Sequence, residues 1–240
     1  TITMKTVWTA LAALFLLSSC GSRTMTVAHK GKSDYRIVVP QDADSLTYLS
    51  AERLQYYIQQ LSGAALPVVT DAEEPVKHEI VLGVTNREAS TGMYTRELGH
   101  DGFRILTDGG NLYIAGGTSR GTLNGVYSLL DDYWGCRKYS AKVEVIPQTP
   151  KLTLPASVTD VQVPVITFRD THYRGTNDQG YVDWHKLSHD ETGDKPDWGL
   201  WVHTFERLLP ADKYFKTHPE YFAWVGNSRA TTQPCLTNPA

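Results

Sequence analysis

Residues 103–137 read FRILTDGGNLYIAGGTSRGTLNGVYSLLDDYWGCR and set strand, hairpin, strand and helix in one uninterrupted run. Phe103 to Thr107 and Leu112 to Ala115 flank Asp108-Gly109-Gly110-Asn111, whose glycines supply the positive φ of a tight turn. Next, Leu123, Val126, Tyr127, Leu130, Tyr133 and Trp134 recur at helical spacing and stop at Gly135. Working outward, Tyr35 to Val39 is a β-branched strand ended by Pro40. Leu46, Leu49, Leu54, Tyr57, Ile58 and Leu61 form a second helical face, with Asp44 or Ser45 as N-cap and Gly63 as C-cap. Leu66 to Val69, Glu79 to Val84, Arg137 to Tyr139 and Val143 to Ile146 read as further strands. Strands and two amphipathic helices alternating from Tyr35 to about Ile146 predict an α/β or α+β layer of sheet and helices.

Beyond Pro147 the composition shifts. Pro147, Pro150, Pro155 and Pro164 interrupt a segment with one short strand at Leu152 to Leu154, which reads as a linker or edge. Val165 to Arg169 is expected to form one buried strand. The remaining residues carry Trp184, Trp198, Trp201 and Trp224 among Asp, His, Gly and Lys, with no long helix and no repeat.

The whole chain has 240 residues, 41% of them hydrophobic, which excludes disorder as its main state. Lys plus Arg at 23 against Asp plus Glu at 26 gives a formal charge of −3. No basic excess or cluster exists to neutralise a phosphate backbone, so nucleic acid is not an expected partner.

After Met4 come Lys5, an apolar run from Val7 to Leu17, and Ser18-Ser19-Cys20. The run is shorter than the roughly 20 residues of a spanning helix and fits a secretory signal. Leu17-Ser18-Ser19-Cys20 resembles the lipobox of bacterial lipoproteins, which implies acylation of Cys20 and cleavage before it. The mature protein is then expected to be exported and held at a bacterial membrane, periplasmic or surface-facing, with Gly21 to Lys32 as a flexible spacer. Cys136 and Cys235 make neither a disulfide framework nor a zinc pattern and read as ordinary buried thiols.

Motifs that carry chemistry are few. Gly116-Gly117-Thr118-Ser119-Arg120-Gly121 lies between strand and helix, yet it lacks the glycine spacing of a dinucleotide fold and the Gly-Lys-Ser/Thr of a P-loop. Its glycines are expected to let strand and helix pack closely. His185 and His189 stand four apart, but Lys186 occupies the place of the glutamate that a zinc hydrolase of that spacing needs. No metal site and no cofactor is expected. Trp198, Trp201, His203, His218, Trp224 and Asn238 have the chemistry of a sugar site, where an aromatic face stacks on pyranose C–H groups and polar groups meet its hydroxyls.

Two segments resemble known families. Gly116-Gly117, Arg120-Gly121, Gly125, Tyr127 to Leu130 and Tyr133-Trp134-Gly135-Cys136-Arg137 resemble the small α/β domain preceding the catalytic barrel of glycoside hydrolase family 20 β-hexosaminidases. The N-terminal domain of family 67 α-glucuronidases is similar, and Ala51 to Leu54, Tyr57-Ile58 and Ile80 to Gly83 agree. Trp201 to Phe205, Leu209-Pro210, Tyr214-Phe215, His218 to Phe222 and Cys235 to Pro239 resemble the start of an uncharacterised DUF4838-type family of bacterial exported proteins with a glycosidase-like barrel. The resemblances imply a signal peptide over 1–19, a spacer over 20–33, a β-hexosaminidase domain 2-like accessory domain over 34–155, and the start of a truncated TIM (β/α)8 barrel over 156–240. They imply a glycan or oligosaccharide substrate, with Arg169, Trp201, His203 and Asn238 binding it and Arg169 standing where family 20 carries a substrate-binding arginine. The Asp-Glu pair of the family 20 reaction has no counterpart in matching context before Ala240, so these 240 residues are expected to be an inactive part of a glycoside hydrolase. The alternative is a non-catalytic glycan-binding lipoprotein.

Overall fold

The computed structural model describes residues 23–87, 93, 95–171, 173–188 and 204–234, the side chains of 232–234 apart. The chain divides into two compact units, Thr1–Glu191 and Thr192–Ala240.

In the first unit, a six-stranded mixed sheet is built from β2 (Arg36–Val39), β3 (Val68–Thr70), β4 (Glu79–Leu82), β5 (Phe103–Asp108), β6 (Asn111–Gly116) and β10 (Thr159–Gln162). Its order is β10-β5-β6-β4-β2-β3. The pairs β2/β3, β2/β4 and β4/β6 are parallel, while β5/β6 and β10/β5 are antiparallel. The expected hairpin is therefore present, with Asp108 opposite Asn111 and Gly109 and Gly110 at φ 58° and 87°.

Helices α1 (Ser45–Ser62) and α2 (Ser119–Ser128) contribute to the core alongside the sheet. Asp44 caps α1 by accepting from Thr47 N at 2.9 Å, and Gly63 closes it at φ 79°, its N–H donating to Gln59 O. Leu54, Ile58 and Leu61 of α1 and Leu123 and Val126 of α2 join Ile37, Ile80, Ile105 and Ile114 from the strands in one core. Each such side chain contributes about 1.5–3 kcal/mol by leaving water. A smaller cluster of Val38, Val81, Met93, Tyr113 and Ala115 lies apart from that core. One π-helical turn, Leu129–Tyr133, follows α2, and Gly135 ends it at φ 70°.

The glycines after β6 act by close packing, as expected. A Cβ on Gly117 would stand 1.7 Å from Gly99 O, and one on Gly121 would stand 2.2 Å from Gly102 O. No side chain fits where these backbones meet.

Two expectations are corrected. The stretch read as a spacer contains β1 (Thr24–His29), which pairs antiparallel with β9 (Lys151–Pro155). Met25, Val27 and Ala28 are buried there, so apolar burial and the ladder hold residues whose polar neighbours suggested solvent. The proline-interrupted segment, read as a linker or edge with a strand at Leu152 to Leu154, does supply β9 and the sheet-edge strand β10, antiparallel to β5. The buried strand expected over 165–169 is absent, with Val165 97% and Ile166 68% exposed. The Arg169 side chain takes the carbonyls of Ile166 and Thr167 that a strand partner would otherwise use. Strands β7 (Arg137–Ser140) and β8 (Val143–Val145) form a separate hairpin, and α3 (Gln179–Trp184) is the last helix of this unit among the described residues.

In the second unit, α4 (Phe205–Leu208) and α5 (Ala211–Tyr214) precede an antiparallel hairpin of β11 (Phe222–Val225) and β12 (Ser228–Pro234). Among the described residues no parallel strand pair follows Gln162.

Candidate functional site

The segment after β10 is fastened to the first unit at both ends. Asp178 caps α3 by accepting from Tyr181 N at 2.9 Å. The helix drives Trp184, 3% exposed, against Tyr57 and Tyr127, with ring centroids 5.5 and 5.3 Å away. Beside it, buried Asp183 accepts from Arg120 Nη1 at 2.8 Å and from Gln179 Nε2 at 2.8 Å, while Arg120 Nη2 donates to Leu187 O at 2.9 Å. A left-handed turn at Lys186, φ 56°, then returns the chain toward Arg169.

Arg169 commits all three guanidinium nitrogens to protein acceptors. Nε donates to Lys186 O at 2.8 Å, Nη1 to Ile166 O at 2.7 Å and to Thr167 O, and Nη2 pairs with Asp101. The Arg169 backbone is also doubly tied to Ser188, by its N–H to Ser188 Oγ at 3.0 Å and by its C=O from Ser188 N at 2.7 Å. Burial opposes ionisation of Asp101, but hydrogen bonds from Arg169 and His100 outweigh it and hold the carboxyl below its ordinary value.

These groups border a cavity of about 420 Å³. Its lining combines the apolar Phe103, Val161, Val163 and Pro164 with the polar Asp101, Asn124, Gln162, Arg169, His185 and Lys186. Burial pushes the Lys186 amine below its ordinary value. His185 Nε2 lies 2.8 Å from Lys138 O, and its ring meets Tyr181 at 4.1 Å.

Of the other residues singled out from sequence, Trp224 is exposed in the second unit with the Arg229 guanidinium 5.4 Å over its ring, and His218 stacks on Tyr221 at 4.7 Å. Cys20, Trp198, Trp201, His203 and Asn238, with His189 and Cys235, lie outside the described residues. Among the described residues, no group of three or more His, Cys, Asp or Glu side chains could hold a metal. No described helix is long and apolar enough to cross a membrane. Cys136 is a free, buried thiol. Sequence reasoning missed Asp101, Asn124, Lys186 and Asp183, whose partners lie tens of residues away or whose role depends on cavity shape; no local spacing signals them.

The first unit is a mixed α/β sheet-and-helix domain that resembles domain 2 of family 20 hexosaminidases. Residues 23–132 match the family model for glycosyl hydrolase family 20, domain 2, and residues 138–240 match that for a domain of unknown function, DUF4838. No curated protein matches the chain by sequence. Similar solved structures include a family GH115 4-O-methyl-α-glucuronidase with specificity for decorated arabinogalactans, at 16% identity and TM-score 0.44 over 60% of this chain and 19% of that one. A mutant Streptomyces plicatus β-hexosaminidase in complex with its product GlcNAc is 16% identical with TM-score 0.41, over 62% of this chain and 25% of that one. A family GH20 exo-β-N-acetylglucosaminidase from Vibrio harveyi in complex with N-acetylglucosamine is 11% identical with TM-score 0.42, over 71% and 23%. The chain thus spans a quarter or less of the length of each of these structures.

Proposed function

We propose that this chain is the N-terminal part of an exported, lipid-anchored glycoside hydrolase. Residues 1–19 act as signal peptide, Cys20 carries the lipid, and the α/β unit is an accessory domain. The DUF4838-matching region opens a (β/α)8 barrel whose catalytic carboxylates lie beyond residue 240. In that barrel one carboxylic acid protonates the leaving oxygen while a second carboxylate, or a substrate amide, meets the developing oxocarbenium. Arg169, Trp201, His203 and Asn238 are proposed as glycan contacts; Arg169 would reach substrate only by exchanging one of its present acceptors. The observation that carries the reading is the match of residues 23–132 to the family model for glycosyl hydrolase family 20, domain 2.

The test compares these 240 residues with a longer product of the same gene on aryl glycosides. The expected outcome is turnover by the longer chain only. Turnover by the 240 residues alone overturns the placement of the carboxylates, and glycan binding without turnover by the complete chain establishes the non-catalytic alternative. Metabolic labelling with a fatty acid, lost in Cys20→Ser, tests the anchor.

A further inference from the structure

We propose that the cavity between β5, α2 and the 161–186 chain is a binding site for a small hydroxylated carboxylate of the sugar-acid class. All its walls belong to the first unit and no glycosidic bond need break there; it shares with the proposed function only Arg169.

Size is the first argument. About 420 Å³ falls within the roughly 300–1,000 Å³ of small-molecule sites. Lining chemistry follows, because Phe103, Val161, Val163 and Pro164 offer apolar surface to the C–H face of a sugar ring beside polar groups for its hydroxyls.

Two unmet groups among the lining residues then define the ligand. Asn124 is 1% exposed; its Nδ2 donates to Asp101 O at 3.0 Å, and its Oδ1 has no hydrogen-bond partner. A buried acceptor left unpaired is costly, so this position calls for a donor such as a hydroxyl. Lys186 is the second. It has no carboxylate within ion-pair distance among the described residues; Asp131 and Asp132 act on it only at longer range, and Arg169 opposes its charge. A partly buried ammonium without a counter-ion calls for an anion.

The remaining charges set the ligand's valence. Asp101 and Arg169 neutralise each other, which leaves one cation to satisfy. A monoanion matches that one cation, whereas a dianion would bring a second negative charge with no cation left to meet it. A bare anion would leave Asn124 Oδ1 unmet, and a neutral sugar would leave Lys186 unmet. The ligand must carry a carboxylate and a hydroxyl on one small apolar-faced frame.

The experiment titrates the 240-residue chain with glucuronate, glucose, acetate and inorganic phosphate by calorimetry. The expected result is saturable glucuronate binding, with the other three at least tenfold weaker. Lys186→Gln and Asn124→Asp should each weaken glucuronate at least tenfold. Lys186 lies on a partly exposed turn, so its variant reports even where Asn124→Asp fails to fold. The proposal is overturned by glucuronate failing to bind, by acetate, phosphate or glucose binding equally well, or by unchanged affinity in folded Lys186→Gln. None of these readouts involves glycoside turnover, so the catalytic reading stands or falls separately.

Discussion

Arg120 Nη1 lies 2.8 Å from Oδ1 of Asp183, and the pair joins the first turn of α2 to the last turn of α3 across 63 residues of sequence. The carboxylate is 3% exposed, and Arg120 is the cation paired with it. Replacing Arg120 by Ala strands a buried anion, and about 3 kcal/mol of stability should be lost. The double variant Arg120→Ala/Asp183→Asn should lose clearly less than the sum of the two single changes. Urea denaturation of all four proteins measures the coupling.

Glu79 on β4 sits between two guanidiniums. Arg36 Nη2 reaches Oε1 at 2.7 Å and Arg87 Nε reaches Oε2 at 2.7 Å. Burial raises its pKa, but the hydrogen bonds from Arg87 and Arg36 together hold it below the ordinary value. A carboxyl depressed in the folded state contributes stability above its unfolded value, about 4.3, and that contribution is lost as pH falls below it. Glu79→Gln should cost about 2–3 kcal/mol at pH 7 and flatten the decline of stability between pH 5 and pH 3. Urea midpoints across that range check both the cost and the sign.

Gly117→Ala places a methyl 1.7 Å from Gly99 O, where both partners are backbone. Destabilisation by about 3 kcal/mol is expected, seen as a lower melting temperature. Gly175→Ala serves as the control, since a Cβ there meets nothing within 4 Å and should change stability by less than about 0.5 kcal/mol.

Burial pushes the Cys136 thiol up to about 12, with Glu144 and Asp131 adding to the shift. Thiolate is the reactive form, so Cys136 should resist alkylation at pH 8 in the native protein and react fully in guanidinium. Peptide-level mass spectrometry separates it from Cys20 and Cys235. Native-state labelling at a rate near that of a free thiol would contradict its burial.

Much of the first unit is legible in local patterns. The Asp44 and Gly63 caps, the Asp108–Asn111 turn and the Gly117 approach each declare themselves within a few residues, because backbone geometry dictates which side chains fit. What escaped was set by distant partners. β1 is a strand because Lys151–Pro155 completes its ladder, although the alternation of Met25 and Val27 was a faint signal. Val165 and Ile166 have strand propensity, yet no strand pairs with them, and the Arg169 side chain takes their neighbourhood's carbonyls instead. The cavity was less legible still, since Asp101 and Arg169 meet across 68 residues and the turn at Lys186 is tied down by Arg169 and Arg120.

The ladder between β1 and β9 ties the chain near residue 24 to the first unit. It starts at Thr24, four residues past Cys20. Four residues reach no more than about 14 Å even fully stretched. Under the proposed acylation the start of β1 is held within that distance of the acyl anchor, so the α/β unit rides close against the headgroups.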